Sequence, residues 1–120
     1  MSWTEGGVMT KESDPYNITQ HEPGSKLDSG KILAGTLSDF SLALLEVAKI
    51  GTFGVNKYSR GGWQSVPDGV TRYSDALWRH LLAERHEDID MDSGLSHQAH
   101  LAWNALARLE LMIRRKKEAP

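Results

Sequence analysis

The segment from Arg79 to His100, RHLLAERHEDIDMDSGLSHQAH, holds four of the five histidines of this 120-residue chain. Within it, Glu87, Asp88, Asp90 and Asp92 crowd four carboxylates into six residues. Carboxylates this close repel one another, and a divalent cation is the usual relief. His97 and His100 stand one helical turn apart and fall, with Asn104, within about 60° of arc on one helix. Such a histidine pair can ligate a metal or, when protonated, hold phosphate oxygens. Just upstream, His80, Glu84 and Glu87 share a similar arc, with Tyr73 on the same line. His80 and Glu84, at i and i+4, can chelate a divalent ion or simply hydrogen-bond to each other. A solvated polar face accounts for either set alone. Their adjacency across one Ser-Gly turn is what makes the segment specific.

Three further places carry chemistry. Glu46 sits among Leu42, Ala43 and Ile50 at helical spacing, with Phe53 one turn on. A carboxylate among apolar neighbours loses hydration and needs a metal, a cation or a hydrogen bond. The plain alternative is an exposed Glu46 paired with Lys49 at i+3. Lys57, Tyr58 and Trp63 lie in a Gly-rich loop suited to holding an anion and stacking on a base, although the two aromatic residues serve equally well as packing anchors. GSKLDSGK places Lys26 and Lys31 in a glycine-bearing stretch suited to phosphates, but it lacks the glycine spacing and Ser/Thr of a P-loop. No nucleophile–base triad is visible.

The elements that must position these residues read as helices. Ser38 or Asp39 offers an N-cap for a first helix ending near Gly51 or Gly54, with Phe40, Leu44, Val47 and Ala48 on one apolar face. Residues 54–70 read as loop. A second helix is expected over about Thr71 to Glu87. A third, capped by Ser96, runs from about His97 to Lys116. Leu101, Ala102, Trp103, Leu106, Leu109, Met112 and Ile113 cover well over half of its circumference, so it should be buried on several sides. Three helices of one chain can hardly achieve that. The expectation is therefore an all-α helical bundle over residues 36–120, completed by homo-oligomerisation. It is preceded by an irregular N-terminal arm, 1–35, whose first 20 residues show no packed pattern.

Composition narrows the classes. Fourteen basic residues against sixteen acidic ones give a net charge of −2, with no general attraction to nucleic acid or membrane. There are no cysteines, which leaves His, Asp and Glu as metal ligands. No apolar run approaches the roughly 18 residues of a membrane span. The first residues lack the basic start and apolar segment of a signal peptide. A cytoplasmic protein is expected, in the host cytoplasm if the chain is phage-encoded.

In order, KLDSGK, LLEVAKIGTFGVNKYSRGGW, YSDALWRHL and HEDIDMDSGLSHQAHLAWNALARL resemble the dATP/dGTP diphosphohydrolase N-terminal family of bacteriophages. The resemblance covers about Lys26 to Leu111. It rests on the G-x-x-K-Y loop with a following Trp, the Arg79-His80 pair, and E-x-x-D-x-x-S-G-x-x-H-x-x-H. It implies chemistry like that of the all-α MazG-like pyrophosphohydrolases: metal-dependent hydrolysis of purine deoxynucleoside triphosphates to monophosphate and pyrophosphate. Mg²⁺ (or Mn²⁺) is the implied cofactor, with Glu46, Glu87 and Asp90 as first metal ligands and His97 and His100 next. Glu84 or Asp92 would take the proton of the attacking water. Lys31, Lys57 and Arg79 would balance triphosphate charge, Tyr58 or Trp63 would face the base, and His80 and Asn104 would complete the substrate site. The chain departs from the MazG-like pattern at Lys49, where a second Glu would follow Glu46. Either His80, His97 and His100 replace the missing ligands, or the site holds one metal fewer. The alternative function is non-catalytic binding that sequesters a host signalling nucleotide. A different metal phosphohydrolase is disfavoured, because no adjacent His-Asp pair is present.

Overall fold

A computed structural model of the chain describes residues 12–119. Contacts divide the chain into two compact units, 1–39 and 40–120. The first eleven positions of the expected arm lie outside the described residues.

The N-terminal unit is organised by one buried carboxylate. Asp14 is only 6% exposed. Its Oδ1 accepts from the Tyr16 and Ile18 amides at 2.7 and 3.4 Å, and its Oδ2 accepts from the Lys26 amide at 2.7 Å. Chief among these, the Lys26 amide bond outweighs burial and, with the Tyr16 and Ile18 amides, holds the carboxyl below its ordinary pKa. The Ser29 amide donates to the Ser13 carbonyl at 2.9 Å. The irregular backbone of the described residues is thus tied together by side-chain and turn hydrogen bonds. A 3-10 helix, Ala34–Phe40, follows. The reading of residues 1–20 as unpacked is corrected at Asp14: a lone polar residue with no periodicity gives no pattern, yet it gathers three amides.

The second unit is helical, with α1 at Ser41–Lys57, α2 at Gly69–Ala83 and α3 at His97–Glu118. The first helix starts later than expected, with Phe40 at the cap position and no side-chain cap bond from Ser38 or Asp39. It also runs through Gly51 and Gly54. A Cβ on Gly51 would stand 3.5 Å from Trp103 Nε1 of α3, and packing of this kind overrides the weak helix preference of glycine. A short 3-10 turn, Gly62–Ser65, leads towards α2.

Helices α2 and α3 form the main packed pair, with α1 against α3. Trp63, Tyr73 and Trp103 meet edge to face at centroid distances of 5.8–6.4 Å, each such pair contributing roughly 0.5–1.5 kcal/mol beyond area burial. Tyr73 also donates its hydroxyl to the Trp63 carbonyl at 2.7 Å. Ile50, Ala99 and Ala107 are the buried apolar residues among those described. The third helix is less covered than its apolar band implies, since Leu106, Leu109, Met112 and Ile113 are each about half exposed in the single chain.

The connection from α2 to α3 is the part that matters for chemistry. α2 ends at Ala83, four residues before the expected Glu87, and the chain passes through turns at Glu84–Glu87. Ile89 and Ser96 then form an isolated antiparallel bridge. The Asp90 amide donates to the Leu95 carbonyl at 2.8 Å, and the His97 amide donates to the Asp88 carbonyl at 2.9 Å. Gly94 takes the left-handed conformation, φ 73°, that closes the turn. Ser96 caps α3 as expected, its side chain accepting from the Ala99 amide at 3.0 Å. The α3 start is thereby returned against the end of α2.

Candidate functional site

Two helix ends and one turn bring three ligand-type side chains together. His80 comes from the last turn of α2, Asp90 from the hairpin, and His97 is the first residue of α3. One ligand atom of each lies within 4.8 Å of the other two. The Nδ1 atoms of His80 and His97 face each other at 2.9 Å, and Asp90 Oδ2 is 4.0 Å from His80 Nδ1. His97 is 3% exposed, and the side chains of His80 and Asp90 are 17% and 21% exposed.

A second layer fixes these rings. His97 Nε2 is 3.1 Å from Glu87 Oε1. In the neutral ring this contact assigns the proton to Nε2 and leaves the Nδ1 lone pair facing His80. His100 stacks on His80 with centroids 4.3 Å apart and planes 8° from parallel. Its Nε2 is 2.6 Å from Ser93 Oγ, while Phe53 of α1 presents an edge contact at 6.2 Å. The Asn104 amide donates to the His100 carbonyl at 2.8 Å. Asp90 uses its other oxygen, Oδ1, to accept from the Asp92 and Ser93 amides, both at 3.0 Å. One carboxylate therefore shapes the turn and faces the imidazoles.

The electrostatics follow from this packing. Burial, then the neighbouring His100 ring, lower the His80 pKa to about 4 against the opposing charge of Asp90. Burial also lowers that of His100, again opposed by Asp90. For Asp90 burial disfavours the charge. The Ser93 and Asp92 amides, with the His100 and His80 rings, outweigh that and hold its carboxyl below the ordinary value. At neutral pH His80 is thus uncharged beside an ionised Asp90, with its proton on Nδ1, facing the His97 Nδ1 lone pair.

Several expected site residues stand elsewhere or do other work. Glu46 is exposed on α1 and pairs with Lys49 Nζ at 2.7 Å, as in the plain alternative, and it is not among the ligand-type side chains that converge with Asp90. The local i,i+3 partner satisfies the charge without any metal. Trp63 packs in the aromatic cluster, flanked by Arg114 at 5.6 Å, and so serves as a packing anchor that also lines the groove between α1 and α3. Asn104 is buried and spent on the His100 carbonyl. Glu84 faces the Gln98 amide, whose nitrogen, correctly oriented, donates at 2.8 and 3.2 Å. Asp92 and Lys57 bind each other at 2.8 Å. Hydrogen bonding to Asp92, then its charge, raises the Lys57 pKa. Tyr58 is 78% exposed beside Lys57 Nζ, which lies 5.5 Å from its ring. Arg79 is exposed on α2. Lys31 belongs to the N-terminal unit, 3.7 Å from Glu12.

Three of the four crowded carboxylates are therefore answered by a local partner. Asp90 is served by turn amides, Asp92 by Lys57 and Glu87 by His97. Ser93 was missed as a site residue. The available signal was Asp90-x-x-Ser93-Gly94, in which Asp accepts from the amides two and three residues on.

An oxygen cage for Mg²⁺ built from Glu46, Glu87 and Asp90 does not fit. Glu46 is engaged on α1, and Glu87 reaches the outer nitrogen of His97. Two imidazoles and one carboxylate do fit a divalent ion that accepts nitrogen ligands.

The fold and site together define an all-α chain with a histidine–carboxylate cluster at a helix junction. It belongs to the family described as dATP/dGTP diphosphohydrolase, N-terminal, whose model matches residues 21–120. A relative named dATP/dGTP diphosphohydrolase, from Salmonella phage PMBT28, is 36% identical over 80 residues, which are 66% of this chain and 26% of the relative. The chain thus spans about a quarter of that protein's length. No solved structure matches it. Among the described residues, no helix is long and apolar enough to cross a membrane.

Proposed function

We propose that this protein hydrolyses the purine deoxynucleoside triphosphates dATP and dGTP to monophosphate and pyrophosphate, at the junction of α2 and α3. The observation that carries the reading is the convergence of His80, Asp90 and His97 within a chain of this family. When bound there, a divalent cation supplies charge neutralisation at the phosphates and acidifies a water. His80, Asp90 and His97 would hold it. Glu87 orients the His97 ring, and His100 backs the His80 ring. Lys57, held beside the hairpin by Asp92, is the cation best placed to meet a phosphate oxygen, and Arg79 adds positive charge on the exposed face of α2. Asp92, released from Lys57 when that amine turns to phosphate, is a carboxylate able to take a proton. Exposed Tyr58 is the aromatic surface for a base.

Incubating the protein with each dNTP and a divalent ion, followed by chromatography, tests this directly. Release of monophosphate and pyrophosphate from dATP or dGTP is the expected result. Full recovery of intact triphosphate after denaturation overturns hydrolysis, and intact nucleotide retained by the folded protein would favour sequestration.

A further inference from the structure

We infer that the His80–Asp90–His97 cluster is a site for a nitrogen-preferring transition-metal ion of the Zn²⁺, Co²⁺ or Fe²⁺ class, and not for Mg²⁺. The inference rests on the site assignment made above, though not on the hydrolysis itself.

The donor set carries the argument first. Mg²⁺ is a hard ion that keeps oxygen ligands and several waters in near-octahedral geometry, whereas imidazole suits the later first-row metals. Two of the three converging donors are imidazole nitrogens. Spacing comes second. Two nitrogens ligating one ion at about 2.0–2.1 Å stand roughly 3 to 3.4 Å apart. The His80 and His97 Nδ1 atoms stand 2.9 Å apart, so little movement separates the metal-free arrangement from a chelating one.

The surroundings are those of a metal histidine. A ligating His ordinarily donates its other ring N–H to a carboxylate, which fixes the tautomer and raises basicity. Glu87 stands 3.1 Å from His97 Nε2 in that position. Stacking on His100 fixes the plane of His80, and the Ser93 and Asp92 amides fix Asp90. One feature opposes a cation: His97 begins α3, where the helix dipole is positive. The Asp90 charge lies on that side and answers it. The ligands come from three separate chain positions, so the site depends on closure of the hairpin.

The test uses the full chain, stripped with chelator, and adds Zn²⁺, Co²⁺ or Mg²⁺ alone. Calorimetry should give Zn²⁺ and Co²⁺ binding at one site per chain, at least about 100-fold tighter than Mg²⁺, and bound Co²⁺ should show the visible spectrum of nitrogen ligation. His80→Gln should weaken Zn²⁺ binding by 10-fold or more. Glu87→Gln should weaken it by about 10- to 100-fold as a positioning residue, and His86→Gln, outside the cluster, should leave it unchanged. Circular dichroism checks that each variant is folded. If a variant unfolds, the wild-type preference among the three ions still decides. Equal or tighter Mg²⁺ binding, or Zn²⁺ affinity unmoved in folded His80→Gln, overturns the inference. A protein that hydrolyses dNTPs with Mg²⁺ and ignores Zn²⁺ would sink this inference and keep the proposed function. One that binds Zn²⁺ but returns every dNTP intact would do the reverse.

Discussion

At the scale of single residues, Asp90 and His80 do the most. Asp90 has two jobs on two oxygens, and substitutions separate them. Asp90→Asn keeps an oxygen for the Asp92 and Ser93 amides but removes the charge facing His80 and His97. It should fold normally and lose turnover of dATP or dGTP by about 100-fold or more. Asp90→Ala loses the turn acceptor as well, and each orphaned amide bond should cost roughly 0.5–1.5 kcal/mol. Unfolding titrations and turnover measured together check the split; two variants with the same stability would refute it. His80 makes a pH prediction. Its folded pKa, about 4, lies below the ordinary 6.5, so the unfolded chain takes up the proton first as pH falls. Stability of the metal-free protein should be fully present above pH about 6.5 and decline from there to about 4. The groups whose charge acts on His80 are His100, Asp90, His97 and Arg79. Denaturant midpoints across that window should slope less in His80→Gln, and an identical slope would show that His80 is not responsible.

At the scale of elements, the site is a consequence of how α3 begins. Ser96 Oγ accepts from the Ala99 amide while the Ser96 backbone pairs with Ile89, so one residue both starts the helix and closes the hairpin. The first turn so fixed carries His97 and His100. Ser96→Ala should cost about 1 kcal/mol of stability and weaken metal-induced stabilisation, because both imidazoles lose their anchored turn. A Ser96→Ala protein with wild-type melting, with and without Zn²⁺, would show that the cap contributes nothing to the site. α1 contributes to the same place from outside, through Phe53 beside His100 and Lys57 beside Asp92.

At the scale of the whole molecule, the uncovered apolar surface is the feature to explain. Leu44, Val47, Ala48 and Gly51 of α1, with Trp103, Leu106 and Ala107 of α3, line a groove of about 400 Å³. Leu42 and Leu45 are largely exposed as well. A homo-oligomer is the arrangement we propose for this surface, and Leu106→Lys discriminates. In a monomer, a residue already 51% exposed tolerates the charge with little effect. In an oligomer the charge would be buried unpaired, at a cost of several kcal/mol. Light scattering should show wild-type assembly and its loss in Leu106→Lys; a wild-type monomer at micromolar concentration would end the proposal. The N-terminal unit gives a separate test. Deleting residues 1–20 removes Asp14 and the Ser13 carbonyl, which hold the Lys26 and Ser29 amides. Limited proteolysis at Lys26 and Lys31 should then accelerate markedly, and an unchanged rate would show that the clamp is dispensable.

The amino-acid sequence alone determined the helical class, the Ser96 cap, and the concentration of ligand-type residues around one Ser-Gly turn. Each of these is local. A cap needs only a few consecutive residues, and an apolar band repeats at helical period within one element. Sequence could not determine which ligand-type residues meet. Glu46 looked stranded among apolar neighbours, yet a lysine three residues on answers it. His80, readable as a substrate contact or as a replacement metal ligand, meets His97 because α2 stops at Ala83 and the hairpin folds back. Asp14 carries no period at all, and beyond the nearby Tyr16 and Ile18 amides its role depends on the Lys26 amide, brought to it from twelve residues along the chain. Trp63 reads the same whether it stacks on a base or on Trp103. Convergence of side chains from separate elements is a property of packing, and packing is set by contacts that no single stretch of sequence contains.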